Sequence, residues 1–326
     1  MVSLALHVAA FFILFPTGLN RLIAATLSFL YCHPSSSSSS STSHPSFISK
    51  PWWFFLHDLP TAAQSRSNRH DNLNFLIKKL DFFALLVSLP LASLTHIFLF
   101  LSVPSSHSPA YRFSFLLFSS SIFLFWVLFL HVLVKYFFLH DNSGLVRDEY
   151  LFIFAGVCFS VEYWMIGRGM DGLAGEFYGI LGWVSLVCCG CCLVLGVKPS
   201  AFFAEHGLCC GLMVKGTWGL QVGLNMGTDG GWFAWKGCER VGVVGVGELD
   251  VGLKCDVEQD GLRGLALMRL SFVWHVIGVL VGSLVLFWVL SMKGSSRLGD
   301  ARGPLLLRHH GTDQSGVRPV AEFELA

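Results

Sequence analysis

Seven long apolar stretches constrain this chain more than any other feature. They fall at roughly 4–31, 80–103, 112–138, 149–167, 174–197, 201–225 and 267–292. Each comes close to or exceeds the ~20 residues an α-helix needs to cross ~30 Å of hydrocarbon. Lipid offers no hydrogen bonds, so each stretch must pair its own backbone groups, as a helix does. The expected fold is all-α: a polytopic membrane helical bundle of about seven transmembrane helices, with the lipid bilayer as its main partner. Only 13% of the residues are charged, about half the ~25% of a soluble domain. A net charge of +1 without a dense basic cluster argues against a nucleic-acid partner.

The segments follow from this pattern. Residues 1–32 form the first membrane helix, retained as a signal anchor because no Lys or Arg opens it. At 28 residues its apolar stretch spans about 42 Å, so Pro16, with Asn20 and Arg21 behind it, predicts a kink. The alternative is a span over 2–19 followed by a short interfacial helix. Residues 33–79 form a Ser-rich loop whose Ser35–Ser41 run is expected to be disordered. Trp52, Trp53, Phe54 and Phe55 in this loop read as an interfacial anchor. Helices two to six occupy 80–225, and 226–266 is a Gly-rich non-cytoplasmic loop. Its Val241–Gly252 part reads as a weak hairpin or a floppy loop. Helix seven spans 267–292, and 293–326 is expected to be a disordered cytoplasmic tail. Thirteen Lys and Arg against seven place the N-terminus outside and the C-terminus in the cytoplasm. Plasma membrane and endomembrane both remain open.

The sixth stretch carries Gly207, Gly211, Lys215, Gly219 and Gly223 at intervals of four, a strip almost free of side chains. The seventh carries Ser271, His275, Gly278 and Gly282 on one face. Small residues at such spacing let helices approach closely, so these two strips are expected to pack on each other. The plainer alternative is that both are generic packing surfaces. The opposite face of the sixth stretch presents Cys210, Thr217, Gln221 and Asn225.

Lys215 falls near the membrane midplane, where a charge costs ~2.5–3.5 kcal/mol even on a lenient scale, so it is expected to face protein or water. A polar path can be drawn from Glu205 and His206 through Lys215 and His275, with Gln221 nearby, to Glu162 and Glu176. Such a path would relay protons or hold an anionic headgroup. Snorkelling to the interface explains the Glu, His and Lys near the ends, but not Lys215 or His275. His96, His131, His206 and His275 lie on four different stretches, which leaves haem or zinc ligation as a further alternative; no His-Glu-x-x-His pair supports it. Asp256 to Gly261 imitates a calcium loop, but Leu267 stands where a bidentate Glu belongs. Neither cofactor nor metal site is expected.

Cys188, Cys189, Cys191 and Cys192 close the fifth stretch, and Cys209 and Cys210 open the sixth. Palmitoylation near the interface is one reading, weak metal capture a second, and inert small apolar side chains the third. Cys238 and Cys255 share the second long loop on the non-cytoplasmic side, where a disulfide is chemically permitted.

Gly216-Thr217-Trp218 with Gln221 and Gly223 is similar to a Gly-Thr-Trp-x-x-Gln-x-Gly segment late in the transmembrane protein 45 family, also catalogued as domain of unknown function 716. Phe272-Val273-Trp274-His275 resembles the aromatic-x-Trp-His segment of that family's last helix. Phe138-Leu139-His140 resembles its His-containing loop, and His7 and Gly18 match its first segment loosely. The resemblance covers about the last two-thirds of the chain and identifies a plant-like member. It implies roughly seven membrane helices and no catalytic residues to carry over. Lys215 stands where the family usually has Gln or a similar polar residue.

The expected activity is therefore that of a non-enzymatic structural or interaction protein, a scaffold or adaptor, with membrane-protein partners or a second copy of itself. The alternatives are a proton-coupled or lipid-headgroup transporter centred on Lys215 and His275, and an intramembrane metal or haem enzyme.

Overall fold

A computed structural model of the chain describes residues 2–32, 47–49, 71–102, 109–138, 147–168, 172–227, 238–241, 252–255 and 257–302. The Ser35–Ser41 run, the Trp52–Phe55 anchor, His140 and its loop, residues 242–251 and the tail beyond 302 lie outside the described residues.

Seven helices are described: α1 (Val2–Cys32), α2 (Asp71–Ser102), α3 (Pro109–Phe138), α4 (Asp148–Met165), α5 (Gly172–Val197), α6 (Phe202–Gly227) and α7 (Glu258–Arg302). Five of them are long and apolar enough to cross a membrane on their own: α1, α2, α3, α5 and α7. The other two, α4 and α6, carry Glu162, Glu205 and Lys215. The fold is thus an all-α membrane-type bundle, with one small addition. Strands β1 (Cys238–Val241) and β2 (Gly252–Cys255) pair antiparallel between α6 and α7.

Some boundaries differ from the sequence reading. Helix α1 runs unbroken through Pro16, so no separate interfacial helix follows residue 19. A proline is tolerated inside a membrane helix when neighbours satisfy the freed backbone groups. Helix α2 begins at Asp71, inside the segment assigned to the first loop. Helix α7 begins at Glu258 and reaches Arg302, 45 residues in all, or about 67 Å. It takes in the end of the Gly-rich segment and the start of the tail. Apolar patterning marks only what lies in lipid, and a helix continues past the interface wherever its residues permit.

Helix α6 occupies the centre. Its N-terminal half packs with α1, α4 and α5 in a core of Leu22, Phe159, Cys188, Leu208, Met213 and their neighbours. Its C-terminal half joins α5 and α7 around Trp218, Phe177 and Met268. The Trp218 indole is fully buried and donates to the Phe177 carbonyl at 3.2 Å. Helices α2 and α3 pair at one side, bridged by Ser93 and Ser119, whose hydroxyls lie 2.8 Å apart. Large apolar side chains such as Phe98, Trp183, Trp274 and Trp288 point outward, as a lipid-facing surface requires.

Candidate functional site

Two buried charge pairs converge on α6. Glu205, in its first turn, is fully buried and receives Arg21 from α1. Arg21 Nε donates to Glu205 Oε1 at 2.5 Å and Nη2 to Oε2 at 3.0 Å. This is the bidentate fork that guanidinium and carboxylate form best. Ser49 donates its hydroxyl to Oε2 at 2.5 Å. The backbone N–H of Ser49 is held by the Pro199 carbonyl at 2.7 Å, and Phe47 packs edge-on against Phe29 and Phe202. Residues 47–49 therefore plug the end of the bundle where α1 finishes and α6 starts.

The second pair lies near the middle of α6. Lys215 donates to Glu162 of α4 and to the Ser185 hydroxyl of α5 at 2.9 Å. Ser185 donates in turn to Glu162 Oε2 at 3.0 Å. The ammonium also faces the Phe159 and Phe125 rings, 5.1 and 5.9 Å from their centroids. Lys215 is only 5% exposed, and Glu162 15%. A lysine at this depth is costly in lipid without such partners.

The drawn path does not connect. Lys215 turns toward α4 and α5, whereas His275 of α7 stands against Trp218 with ring centroids 5.8 Å apart. His206 turns to Ser283 of α7 at 3.1 Å, away from the neighbouring Glu205. Glu176 meets Arg269 at 3.8 Å on an exposed surface. Gln221 is buried, and its amide nitrogen has no hydrogen-bond partner among the described residues. His96 and His131 bond carbonyls of their own helices, Ala92 at 2.8 Å and Val127 at 2.9 Å. Among the described residues no three His, Cys, Asp or Glu side chains form a metal-binding group.

The glycine strip of α6 receives α5 and α1 rather than α7. A Cβ on Gly207 would fall 3.0 Å from Cys191 Sγ, and one on Gly211 2.5 Å from Cys188 Sγ. A Cβ on Gly223 would strike His7 of α1, whose Nε2 lies 3.2 Å from the Tyr178 hydroxyl. Gly18 of α1 presses in the same way on Met213 and the Cys209 carbonyl. A Cβ on Gly219, Gly278 or Gly282 would meet nothing within 4 Å. The expected packing of helices six and seven through these strips is thus corrected. The strip winds around α6, so its members face different neighbours, and helix α7 meets α6 at Trp218 and His206 instead. Between those contacts a cleft of about 780 Å³ opens between α1, α6 and α7.

Cys188, Cys192 and Cys209 are fully enclosed, Cys189 and Cys210 are buried, and Cys191 is half-buried; all six are free thiols. Cys255 is disulfide-bonded and stands directly opposite Cys238 in the hairpin register.

Arg21, Ser49 and Ser185 were not among the candidates read from the sequence. Arg21 gives a signal, as a cation inside an apolar stretch, but beside Pro16 and Asn20 it reads as part of a helix break. Ser49 and Ser185 gave none, because a serine in a loop or helix is ordinary.

Residues 148–288 match a family model described as a family of unknown function, DUF716. The match runs from α4 into α7 and includes Glu162, Ser185, Glu205 and Lys215; Arg21 and Ser49 precede it. No curated protein matches the chain.

Proposed function

We propose that this chain is a non-enzymatic membrane scaffold. Its α1, α4, α5 and α6 form a rigid core that presents α7 to other membrane proteins or to a second copy of the chain. The observation that supports this is the disposition of the deep charges. Glu205 is consumed by Arg21 and Ser49, and Lys215 by Glu162 and Ser185. Neither pair lines the cleft between α1, α6 and α7. Locked pairs fix how helices sit against one another; a transport path needs groups free to exchange partners. On this reading the N-terminus is non-cytoplasmic and the C-terminus cytoplasmic, following the Lys and Arg distribution. The Gly-Thr-Trp and Trp-His segments support placing the chain among plant-like members of the transmembrane protein 45 family. The test is reconstitution in liposomes: the scaffold shows no saturable flux of protons, ions or lipid headgroups above empty vesicles, and saturable flux overturns it.

One feature favours a second reading. Helix α4 stops three residues after Glu162, and Ile166 is extended, with φ −70° and ψ 133°. Gly167 then takes a φ of +75° against α5. An ionisable pair beside the end of a short helix resembles transporter architecture. Proton flux lost on Glu162→Gln would establish that reading in place of the scaffold.

A further inference from the structure

We infer that the cleft between α1, α6 and α7 is a binding site for an uncharged, flat lipid of the sterol class, held with its polar group toward Ser271 and His275. The inference goes beyond the scaffold reading and does not require it.

The cleft holds about 780 Å³, within the ~300–1,000 Å³ of sites that enclose small ligands. Its walls are membrane helices, lined by Phe15, Leu19, Leu22, Met213 and Leu286 among others. An apolar space of this kind stays dry, because water needs several polar partners. In a bilayer, hydrocarbon fills it.

The walls are not uniform. The polar lining residues are Thr217, Ser271, His275 and Ser283. The antiparallel run of α6 and α7, fixed by His206 on Ser283 and Trp218 against Phe272, sets the first three at one level, with Ser283 further along α7 and already bonded to His206 and the Leu280 carbonyl. Thr217 spends its hydroxyl on the Val214 carbonyl at 3.2 Å. Ser271 and His275, one turn apart and half-buried, make no hydrogen bond with any described residue. Polar side chains inside lipid are ordinarily partnered, so this pair asks for a hydrogen-bonding group from outside the chain.

The same pair limits what that group is. It lies one and two turns inside the apolar stretch 267–292, and among the described residues no Lys or Arg lines the cleft, so a phosphate or carboxylate entering it would lose hydration without a compensating cation. Lys215 is already committed to Glu162. An uncharged hydroxyl fits. Below it, Gly278 and Gly282 form a floor without side chains, with nothing within 4 Å of either Cβ position. A floor of that shape accepts a flat rigid body better than a flexible, kinked chain.

The test is photolabelling of the full chain in vesicles of phosphatidylcholine with a clickable, photoreactive sterol. A photoreactive palmitate and a photoreactive diacylglycerol run in parallel. The sterol probe is expected to label peptides of residues 271–286, with excess unlabelled sterol competing it away. Gly282→Leu puts a side chain on the floor where a Cβ meets nothing within 4 Å, and is expected to cut sterol labelling at least fivefold. His275→Phe keeps the ring volume, and is expected to cut it about threefold. Phe98→Leu, on the outward face of α2, leaves it unchanged. All variants are first checked for monodisperse elution in detergent, and Gly278→Leu replaces any that fails. Labelling spread evenly over the outward helix faces overturns the inference. So does preferential labelling by palmitate or diacylglycerol, or sterol labelling that Gly282→Leu and Gly278→Leu leave intact. Liposome flux tests the scaffold reading separately, so the two stand or fall apart.

Discussion

Lys215 on α6 and Glu162 on α4 close an ion pair inside the bundle, with Ser185 of α5 bonded to both. Three helices are thereby fixed at one level by a single polar knot. Helices α4 and α6 fall outside those that qualify as membrane spans by composition alone, and the knot pairs one charge from each.

Breaking that pair on one side leaves an uncompensated buried charge, which typically costs ~3–5 kcal/mol. Glu162→Gln is expected to lower the thermal midpoint in detergent clearly, measured by fluorescence-detected size exclusion. Removing both charges, as Glu162→Leu with Lys215→Met, is expected to recover most of the loss. Equal midpoints for the single and double variants would mean that the two side chains do not interact.

The Arg21–Glu205 pair makes a parallel prediction with an added reporter. Ser49→Ala removes a hydrogen bond to a charged acceptor, worth about 1.5–3 kcal/mol, and frees the segment that plugs this end of the bundle. Limited proteolysis is expected to cut near residue 49 faster in the variant than in the parent. Unchanged cutting would show that Ser49 does not anchor the segment.

Glycines on α6 divide by neighbour. Gly223→Ala drives a methyl group into His7, and overpacking of this kind costs ~1–3 kcal/mol. Gly219→Ala meets nothing within 4 Å and is expected to be neutral or to stabilise by up to ~1 kcal/mol through helix propensity. Thermal midpoints of the two variants should move apart; a loss of the same size in both would contradict the α1–α6 contact.

Burial also predicts thiol chemistry. Cys188, Cys192 and Cys209, at 0%, 1% and 0% exposure, are expected to resist maleimide in the folded protein and to react after denaturation in SDS. Acyl exchange should find no fatty acid on these three. Rapid native labelling of any of them would refute the packing of α5 on α6.

The bundle itself was legible in the sequence. Length and hydropathy force helices in lipid, and Lys215 announced a buried partner because a lone charge at that depth is too costly. Pairing was not legible. Arg21 and Glu205 are 184 positions apart, and nothing local to either names the other. The glycines at 207, 211, 219 and 223 showed that α6 is approached closely, but not by which helix. That depends on the crossing angles and on how the strip winds around the axis, so the expected α7 contact gave way to α1 and α5. Hydropathy and length alone set the solvent, the helices and the residues that lipid would not tolerate unpaired. Which helix answers each of them emerges on folding, because partner choice is a property of how rigid cylinders pack, and no single stretch of chain encodes it.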